Sequence, residues 1–279
     1  MRAARRRWQH ERMPARARSH GRSRGLWNAR TVAWYQRANA RSDYAVRVLA
    51  AMPELLARAR TALDVGAGFG ALALPLARRM ERVTAVEPAP AMAAALRDAI
   101  KREELGNLTL IEAAWGDVPV EPHDLVICTH VSELLQRGSP LLAAVARGGL
   151  ARRGVALVRD APGGEDKFFF RELYPVLLGR SYDKGSCGAD ETLEELARLG
   201  VEPALTPIEY ISDQPFDDLD DACDFWLEYM GLEAPEARAY LRGFLAIRLA
   251  REARGWLAPF RKRAVVIHWA TRSDAARAC

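Results

Sequence analysis

The stretch that decides the fold is "LDVGAGFGALALPLARRMERVTAVEP", residues 63–88. It places an acid, Asp64, two positions before three alternating glycines, and it ends close to a second acid, Glu87. The glycines Gly66, Gly68 and Gly70 let the chain turn sharply and let a ligand approach the backbone without obstruction by Cβ atoms. An acid at the end of the following strand can accept hydrogen bonds from both hydroxyls of a ribose. The stretch therefore predicts a ligand that carries a nucleoside.

Candidate strands and helices alternate around this stretch. Strands are predicted at 62–65, 82–86, 108–112, 124–128 and 155–159, and helices at about 70–80 and 89–102. Short buried strands separated by helices of this length are typical of a doubly wound, mostly parallel α/β sheet. Right-handed crossovers then place ligands at the carboxyl ends of the strands.

The remaining segments divide the chain into one domain with additions. Two helices are predicted within 26–60, the core covers 61–211, and the last strand covers 261–271. A polar loop with Gly163 and Gly164 as hinges follows Asp160, and an apolar helix, interpreted as core packing, follows at about 167–178. A helix ending at Gly200 precedes a strand near 205–211, whose antiparallel partner is predicted at 263–270.

An insertion at 212–260 separates these two strands. It is predicted to form amphipathic helices at 216–230 and 235–254. Such helices could cover a small-molecule pocket as a lid, or they could form the interface of a homodimer; the sequence leaves both open.

Composition restricts the class of protein. The chain has 279 residues, of which 49% are apolar and 28% charged, as expected for a globular domain. No run of about 18 apolar residues and no signal segment occurs, which predicts a cytoplasmic protein without a membrane span. The cysteines, which are far apart and form no CxxC pair, predict reduced thiols and no metal site. They are Cys128, Cys187, Cys223 and Cys279.

The net charge of +5 comes from one end of the chain. Residues 1–30 hold ten arginines and one acid, whereas the rest holds 31 basic and 35 acidic residues. Residues 1–25 lack apolar periodicity and are predicted to be a disordered, solvated tail. The alternative is an arm that binds RNA phosphates, as in a ribosome-associated enzyme. The acidic remainder favours a small-molecule partner over a nucleic acid.

The glycine pattern alone also fits dinucleotide binding. "GAGFGA", residues 66–71, matches G-x-G-x-x-G/A, so an NAD(P)-dependent oxidoreductase is an alternative. Asp64 argues against a dinucleotide, because a carboxylate at this place would repel the pyrophosphate. The same carboxylate would attract a cationic ligand that carries a nucleoside.

At this point the chain resembles the class I S-adenosylmethionine-dependent methyltransferases, whose first motif reads as apolar strand, Asp, x-Gly-x-Gly-x-Gly. "VEPAPAM" (86–92), "EAAWGDV" (112–118) and "HDLVICTHVSELL" (123–135) are similar to the family's later motifs in order and spacing. The resemblance implies a seven-stranded Rossmann-like sheet, S-adenosylmethionine as cofactor and S-adenosylhomocysteine as product.

The resemblance also implies site residues. Asp64 and Gly66 would face the amino-acid end of the cofactor, Glu87 the ribose, and Asp117 the adenine. The full set of implied cofactor residues is Asp64, Gly66, Gly68, Gly70, Glu87, Pro88, Met92, Trp115, Gly116, Asp117, Thr129 and, from the N-terminal helices, Tyr35.

The chemistry implied is in-line transfer of a methyl group that is already activated by a sulfonium. The protein then supplies mainly alignment and exclusion of water. A general base is needed only where the acceptor atom is protonated. His130 is the best candidate, with a structural histidine as the alternative, while Glu133 and Asp160 are weaker candidates.

Overall fold

The computed structural model describes residues 27–162, 168–182 and 188–271. The predicted tail at 1–25, the hinges Gly163 and Gly164, and two of the cysteines, Cys187 and Cys279, lie outside these ranges. The other two cysteines, Cys128 and Cys223, are buried free thiols.

A seven-stranded sheet with the order β3-β2-β1-β4-β5-β10-β6 forms the centre of the molecule. The strands β1 to β5 are parallel, and β10 runs antiparallel to both β5 and β6, which confirms the predicted architecture. The strands of this sheet are β1 Thr61–Val65, β2 Arg82–Val86, β3 Leu108–Ile111, β4 His123–Thr129, β5 Ala151–Asp160, β6 Ala204–Ile211 and β10 Arg261–Ala270.

Helices cover both faces of the sheet. They are α1 Ala29–Ala40, α2 Tyr44–Ala50, α3 Pro53–Arg58, α4 Ala73–Ala77, α5 Pro90–Arg102, α6 Pro140–Arg147, α7 Phe170–Leu177, α8 Ala189–Arg198, α9 Leu219–Met230 and α10 Pro235–Ala246. The N-terminal segment forms three helices rather than the predicted two, because Pro53 starts a new helix after α2. Within the described ranges, none of the helices has the length and apolar character needed to cross a bilayer.

The central strands are buried on both faces, which explains why they read as continuous apolar runs. Ala62 and Leu63, neighbours in β1, have no exposed surface. Ala62 belongs to a cluster with residues of α2, α4 and α5, and Leu63 to a cluster with residues of α6 and α8. The two layers thus hold the carboxyl ends of β1, β2 and β4 side by side.

The insertion after β6 differs from its predicted structure. Phe216 was predicted to begin a helix, but it lies in strand β7, Gln214–Phe216. The helix α9 begins only after Asp218, whose carboxylate accepts hydrogen bonds from the amides of Asp220 and Asp221 as an N-cap. The second predicted helix extends only to Ala246 and not to residue 254. Two short strands follow it, β8 Ala250–Arg251 and β9 Trp256–Ala258, which form a small antiparallel sheet with β7.

The insertion has its own aromatic core. We call β7, α9, α10, β8 and β9, together with α1 and α7 that pack on them, the cap. Trp226 of α9 is fully buried at its centre and stacks on Phe169 with ring centroids 6.0 Å apart. Its indole Nε1 donates a hydrogen bond of 2.6 Å to the Phe168 carbonyl. Phe168 and Phe169 before α7 pack against this core, and Phe170, the first residue of α7, belongs to it, so these phenylalanines serve packing as predicted.

Replacing Trp226 by Ala tests this core. The loss of a fully buried indole should lower the free energy of unfolding by about 3–5 kcal/mol, measured by urea denaturation. Ile247→Ala is the matched control, since that side chain is 79% exposed, and it should change the value by less than about 0.5 kcal/mol. Equal small effects from both substitutions would show that the cap has no core of its own.

Candidate active site

The glycine turn after β1 is held against the end of β2. The amides of Gly66 and Ala67 both donate to the Val86 carbonyl, at 2.8 and 3.1 Å. Gly66 has φ +74°, and a Cβ there would lie 2.4 Å from Val131 Cγ2, so only glycine fits. At Gly68, with φ +58°, the nearest atom to a Cβ would be Met92 Sδ at 3.8 Å. Gly68 is therefore the less crowded position, where a ligand can approach the backbone.

Glu87 braces this turn from the end of β2. The carboxylate is 7% exposed; Oε2 accepts from the Gly68 amide and Oε1 from the Ala89 amide, both at 2.8 Å. Burial raises the pKa of Glu87, and the two backbone hydrogen bonds oppose this effect. Each carboxylate oxygen can still accept one further hydrogen bond, as binding of ribose hydroxyls requires.

Asp64, in the neighbouring strand β1, is 2% exposed and lies close enough to Glu87 to be affected by its charge. Burial, followed by the negative charge of Glu87, raises the pKa of Asp64 to about 7. A hydrogen bond from the Ala73 amide, at the start of α4, opposes the shift. The Asp64 carboxylate thus contacts the start of α4. A cation bound beside it would favour its ionised form.

The other implied cofactor residues lie on neighbouring elements. Met92 is buried beneath the glycine turn together with Val32, Phe69 and Ala89. Trp115 packs partly buried against the sheet, whereas Asp117 is exposed in the turn after it. The remaining positions are Gly70 in the turn with φ +96°, the half-buried Pro88 before α5, Gly116 with φ +95°, and Thr129, the last residue of β4.

Helix α1 lies over the glycine turn through Tyr35. This ring is 40% exposed, stacks on Trp27 at 5.6 Å and meets the edge of Phe69 at 5.1 Å. Phe69 lies between two glycines of the motif. Its packing role could not be predicted from the sequence, because the motif accepts any residue at that position. The packing of Phe69 now shows how the N-terminal helices attach to the cofactor pocket.

A cluster of three polar side chains lies beyond the ends of β4 and β5. His130 Nδ1 is 3.2 Å from Asp160 Oδ1, and Lys262 Nζ lies 2.8 Å from the same oxygen. Burial alone would raise the pKa of Asp160, but the hydrogen bond from His130 and the charge of Lys262 bring it well below its ordinary value. His130 Nε2 is buried and has no hydrogen-bond partner among the described residues.

Tyrosines surround this cluster. The ring of Tyr44 lies 5.6 Å from His130 and 4.8 Å from Tyr210. Burial raises the pKa of both phenols, and the neighbouring Thr129 hydroxyl partly offsets this for Tyr44. These phenols therefore stay protonated, as hydrogen-bond donors, at neutral pH.

The expected role of Glu133 is not supported by its placement. Its side chain is exposed on the 3-10 turn Ser132–Leu134, which follows β4. The reason is local: His130 adopts a left-handed conformation with φ +56°, so the chain turns sharply directly after the strand. The carboxylate beside His130 is Asp160, the last residue of β5.

Sequence reasoning missed Lys262 because its partner is distant along the chain. The antiparallel register pairs Ala264 of β10 with Asp160 of β5. Lys262, two residues before Ala264, lies on the same face of β10. The only indication of Lys262 in the sequence was the prediction that the last strand joins the sheet. The sequence does not show which strand pairs with this last strand or in which register.

Part of the chain is similar to a known protein family. Residues 62–148, from β1 to the residue after α6, match the family model described as a methyltransferase domain. No curated protein matches the sequence significantly.

Solved structures share the fold. The chain is similar to phosphoethanolamine N-methyltransferase 2 of Haemonchus contortus, with TM-score 0.51, 14% identity, and coverage of 90% of this chain and 58% of that one. For the YcgJ protein of Bacillus subtilis the TM-score is 0.48, with 15% identity and coverage of 80% and 99%. For magnesium protoporphyrin IX methyltransferase of Synechocystis PCC 6803 with bound S-adenosylhomocysteine it is 0.46, with 16% identity and coverage of 80% and 82%.

Fold, pocket and family model together define the class. Residues 62–148 match the methyltransferase domain family, and the seven-stranded sheet has the fold of the class I S-adenosylmethionine-dependent methyltransferases. This match favours S-adenosylmethionine as the cofactor over NAD(P). The two buried carboxylates and the open backbone at Gly68 fit the ribose and the cationic end of this cofactor.

Glu87→Ala tests the ribose role. The substitution leaves the amides of Gly68 and Ala89 and the ribose hydroxyls without an acceptor, so S-adenosylhomocysteine should bind about 1–3 kcal/mol more weakly in calorimetry. Glu112→Ala, an exposed acid after the neighbouring strand β3, is the control and should bind as the unchanged chain does. Unchanged affinity in Glu87→Ala would refute the assignment.

Asp64 makes cofactor binding depend on pH. Because its pKa is about 7 in the ligand-free protein, S-adenosylmethionine should bind more tightly as pH rises from 6 to 8, with affinity falling about tenfold per unit well below 7. The stability of the ligand-free protein should show the opposite trend, since a carboxyl whose pKa is raised from 3.8 stabilises the fold less as pH rises toward 7. Asp64→Asn should flatten both profiles; an unaltered slope in that variant would assign the titration to another group.

Proposed function

We propose that the chain transfers the methyl group of S-adenosylmethionine to a protonated nucleophilic atom of a small-molecule acceptor, with His130 as general base. One observation carries the proposal. His130 lies with Nδ1 against Asp160, and its other nitrogen, Nε2, is buried without a partner among the described residues. An imidazole held through Nδ1 by a carboxylate has the arrangement that a general base needs.

The protonation states support this role. Burial, followed by the positive charge of Lys262, lowers the pKa of His130, while the carboxylate of Asp160 opposes them. His130 is therefore neutral at pH 7 and able to take a proton. Asp160, whose pKa lies well below its ordinary value, is ionised and can stabilise the imidazolium that forms.

Proton and electron pair balance in one step. The bound cofactor supplies an electrophilic methyl group on a sulfonium. When the methyl–sulfur bond breaks, its electron pair stays on the sulfur, which becomes a neutral thioether. As the acceptor's lone pair forms the new bond to the methyl carbon, His130 Nε2 takes the proton from the acceptor atom. Asp160 holds Nδ1–H of the resulting imidazolium in place, so that the ring does not turn away.

The cap supports a small acceptor. Helix α1 joins it to the cofactor pocket, since Trp34 is buried in the cap while its neighbour Tyr35 reaches Phe69 at the glycine turn. Trp34 is held there by a hydrogen bond of 2.7 Å from its Nε1 to Asp221, and its carbonyl accepts from Gln214 at 3.1 Å. A rigid cap beside the strand ends favours an enclosed pocket that excludes water, in which a small molecule fits better than a nucleic acid.

His130→Asn tests the base. Asparagine tolerates the left-handed conformation at this position, so the fold should be kept. Turnover, measured as formation of S-adenosylhomocysteine with a low-molecular-mass metabolite fraction, should fall by about 10²–10⁴-fold, while calorimetry should find the cofactor affinity unchanged.

His268→Asn is the matched control, because this histidine contacts Thr206 at the opposite end of β10 and should leave turnover intact. Full turnover of His130→Asn would exclude the base. Methyl transfer found only in the RNA fraction of the same extract would exclude the small-molecule acceptor.

A further inference from the structure

Arg159 is a buried cation that the proposed chemistry does not use. It is 2% exposed and lies in β5, one residue before Asp160, on the opposite face of the sheet. Its Nε donates to the Gly188 carbonyl at 3.2 Å and its Nη1 lies 3.4 Å from Ser132 Oγ. Both contacts lie beyond the carboxyl ends of the strands, where the acceptor is placed by the proposed function.

The charge of Arg159 is not balanced by the contacts that hold it. Its two hydrogen-bond partners are a carbonyl and a hydroxyl, both neutral, and Nη2 is buried without a hydrogen-bond partner among the described residues. Burying a guanidinium without a counter-charge is costly, and natural proteins rarely keep one unless a negative group pairs with it.

The groups around His130 add to this imbalance. The described charges that act on this histidine are those of Lys262, Asp160 and Arg159, which sum to one positive charge while the imidazole is neutral. The bound cofactor adds a sulfonium nearby. A cationic acceptor would thus be repelled by the net positive charge of the site, whereas an anion would be attracted.

We propose that Arg159 binds an anionic group of the methyl acceptor, a carboxylate or a phosphate, through Nη2, which has no hydrogen-bond partner among the described residues. This inference depends on the proposed function, because it places the anion beside the same base. The planar guanidinium suits both groups, since each presents two oxygens to adjacent N–H donors. The acceptor is then an acidic metabolite whose reacting atom lies at His130 and whose acidic group lies at Arg159.

The test uses the full chain and two simple probes, inorganic phosphate and acetate, with chloride at equal ionic strength as reference. Thermal unfolding is recorded for the protein alone and for the protein saturated with S-adenosylhomocysteine. A saturating concentration of either probe should raise Tm by about 2–4 °C relative to chloride. Arg159→Gln, which keeps an amide donor but no charge, should lose this increment. Arg152→Gln, an exposed arginine of the same strand, should keep it.

A second measurement needs no loss-of-charge variant. The side-chain Nε–H resonance of Arg159, assigned by its absence from the spectrum of Arg159→Lys, should shift on titration of the unchanged protein with phosphate. This result stays decisive if Arg159→Gln fails to fold.

Each outcome decides one question. No response of Tm or of the resonance in a protein that binds S-adenosylhomocysteine would overturn this inference and leave the proposed function standing. A tenfold weaker affinity of Arg159→Gln for S-adenosylhomocysteine, without any response to the probes, would assign Arg159 to the cofactor's own carboxylate and also overturn it. Failure of the unchanged chain to bind the cofactor product would instead count against the proposed function, because the response to the probes is measured in its absence as well.

Discussion

The glycine turn depends on two hydrogen bonds that the Glu87 carboxylate accepts from the backbone. Glu87, at the end of β2, accepts from the Gly68 amide in the turn after β1. It also accepts from the amide of Ala89, the residue directly before α5. Because the carboxylate is buried, these two hydrogen bonds hold the turn and the helix in one relative position. The backbone at Gly68, with little beside it except the Met92 sulfur, then presents an open edge to a ligand. The Glu87 hydrogen bonds thus both fix the position of the glycine turn and leave its backbone open to a ligand.

Electrostatics divide the site into two parts of opposite sign. Asp64 and Glu87 make the cofactor part negative, and burial of both carboxyls raises the free energy of ionisation until a cation arrives. Beyond β4 and β5 the sign reverses, because two of the described charges there, those of Lys262 and Arg159, are positive and one, that of Asp160, is negative. A methyl group carried on a sulfonium and an acidic acceptor would each enter the part of opposite charge. The protein can therefore orient the two substrates before any specific contact forms.

The sequence was enough to predict that the candidate cofactor residues lie together, but not which groups lie around His130. Asp64, the glycines and Glu87 fall within 25 consecutive residues, so a strand–turn–helix–strand pattern determines their mutual placement. The pairing of Asp160 with His130 and Lys262 depends on which strands become neighbours, and Lys262 is more than 100 positions from Asp160 along the chain. The end of α10 was misjudged for a similar reason. The predicted helix included residues 247–254, but Ala250–Arg251 pairs with β9 as strand β8 instead.

A crystal structure of the complete chain with S-adenosylhomocysteine tests the central claim most directly. The account predicts that both ribose hydroxyls lie within about 3.2 Å of the Glu87 carboxylate oxygens, with the amino-acid end next to Asp64 and the sulfur directed toward His130. A ribose bound away from Glu87, with the glycine turn left empty, would contradict it.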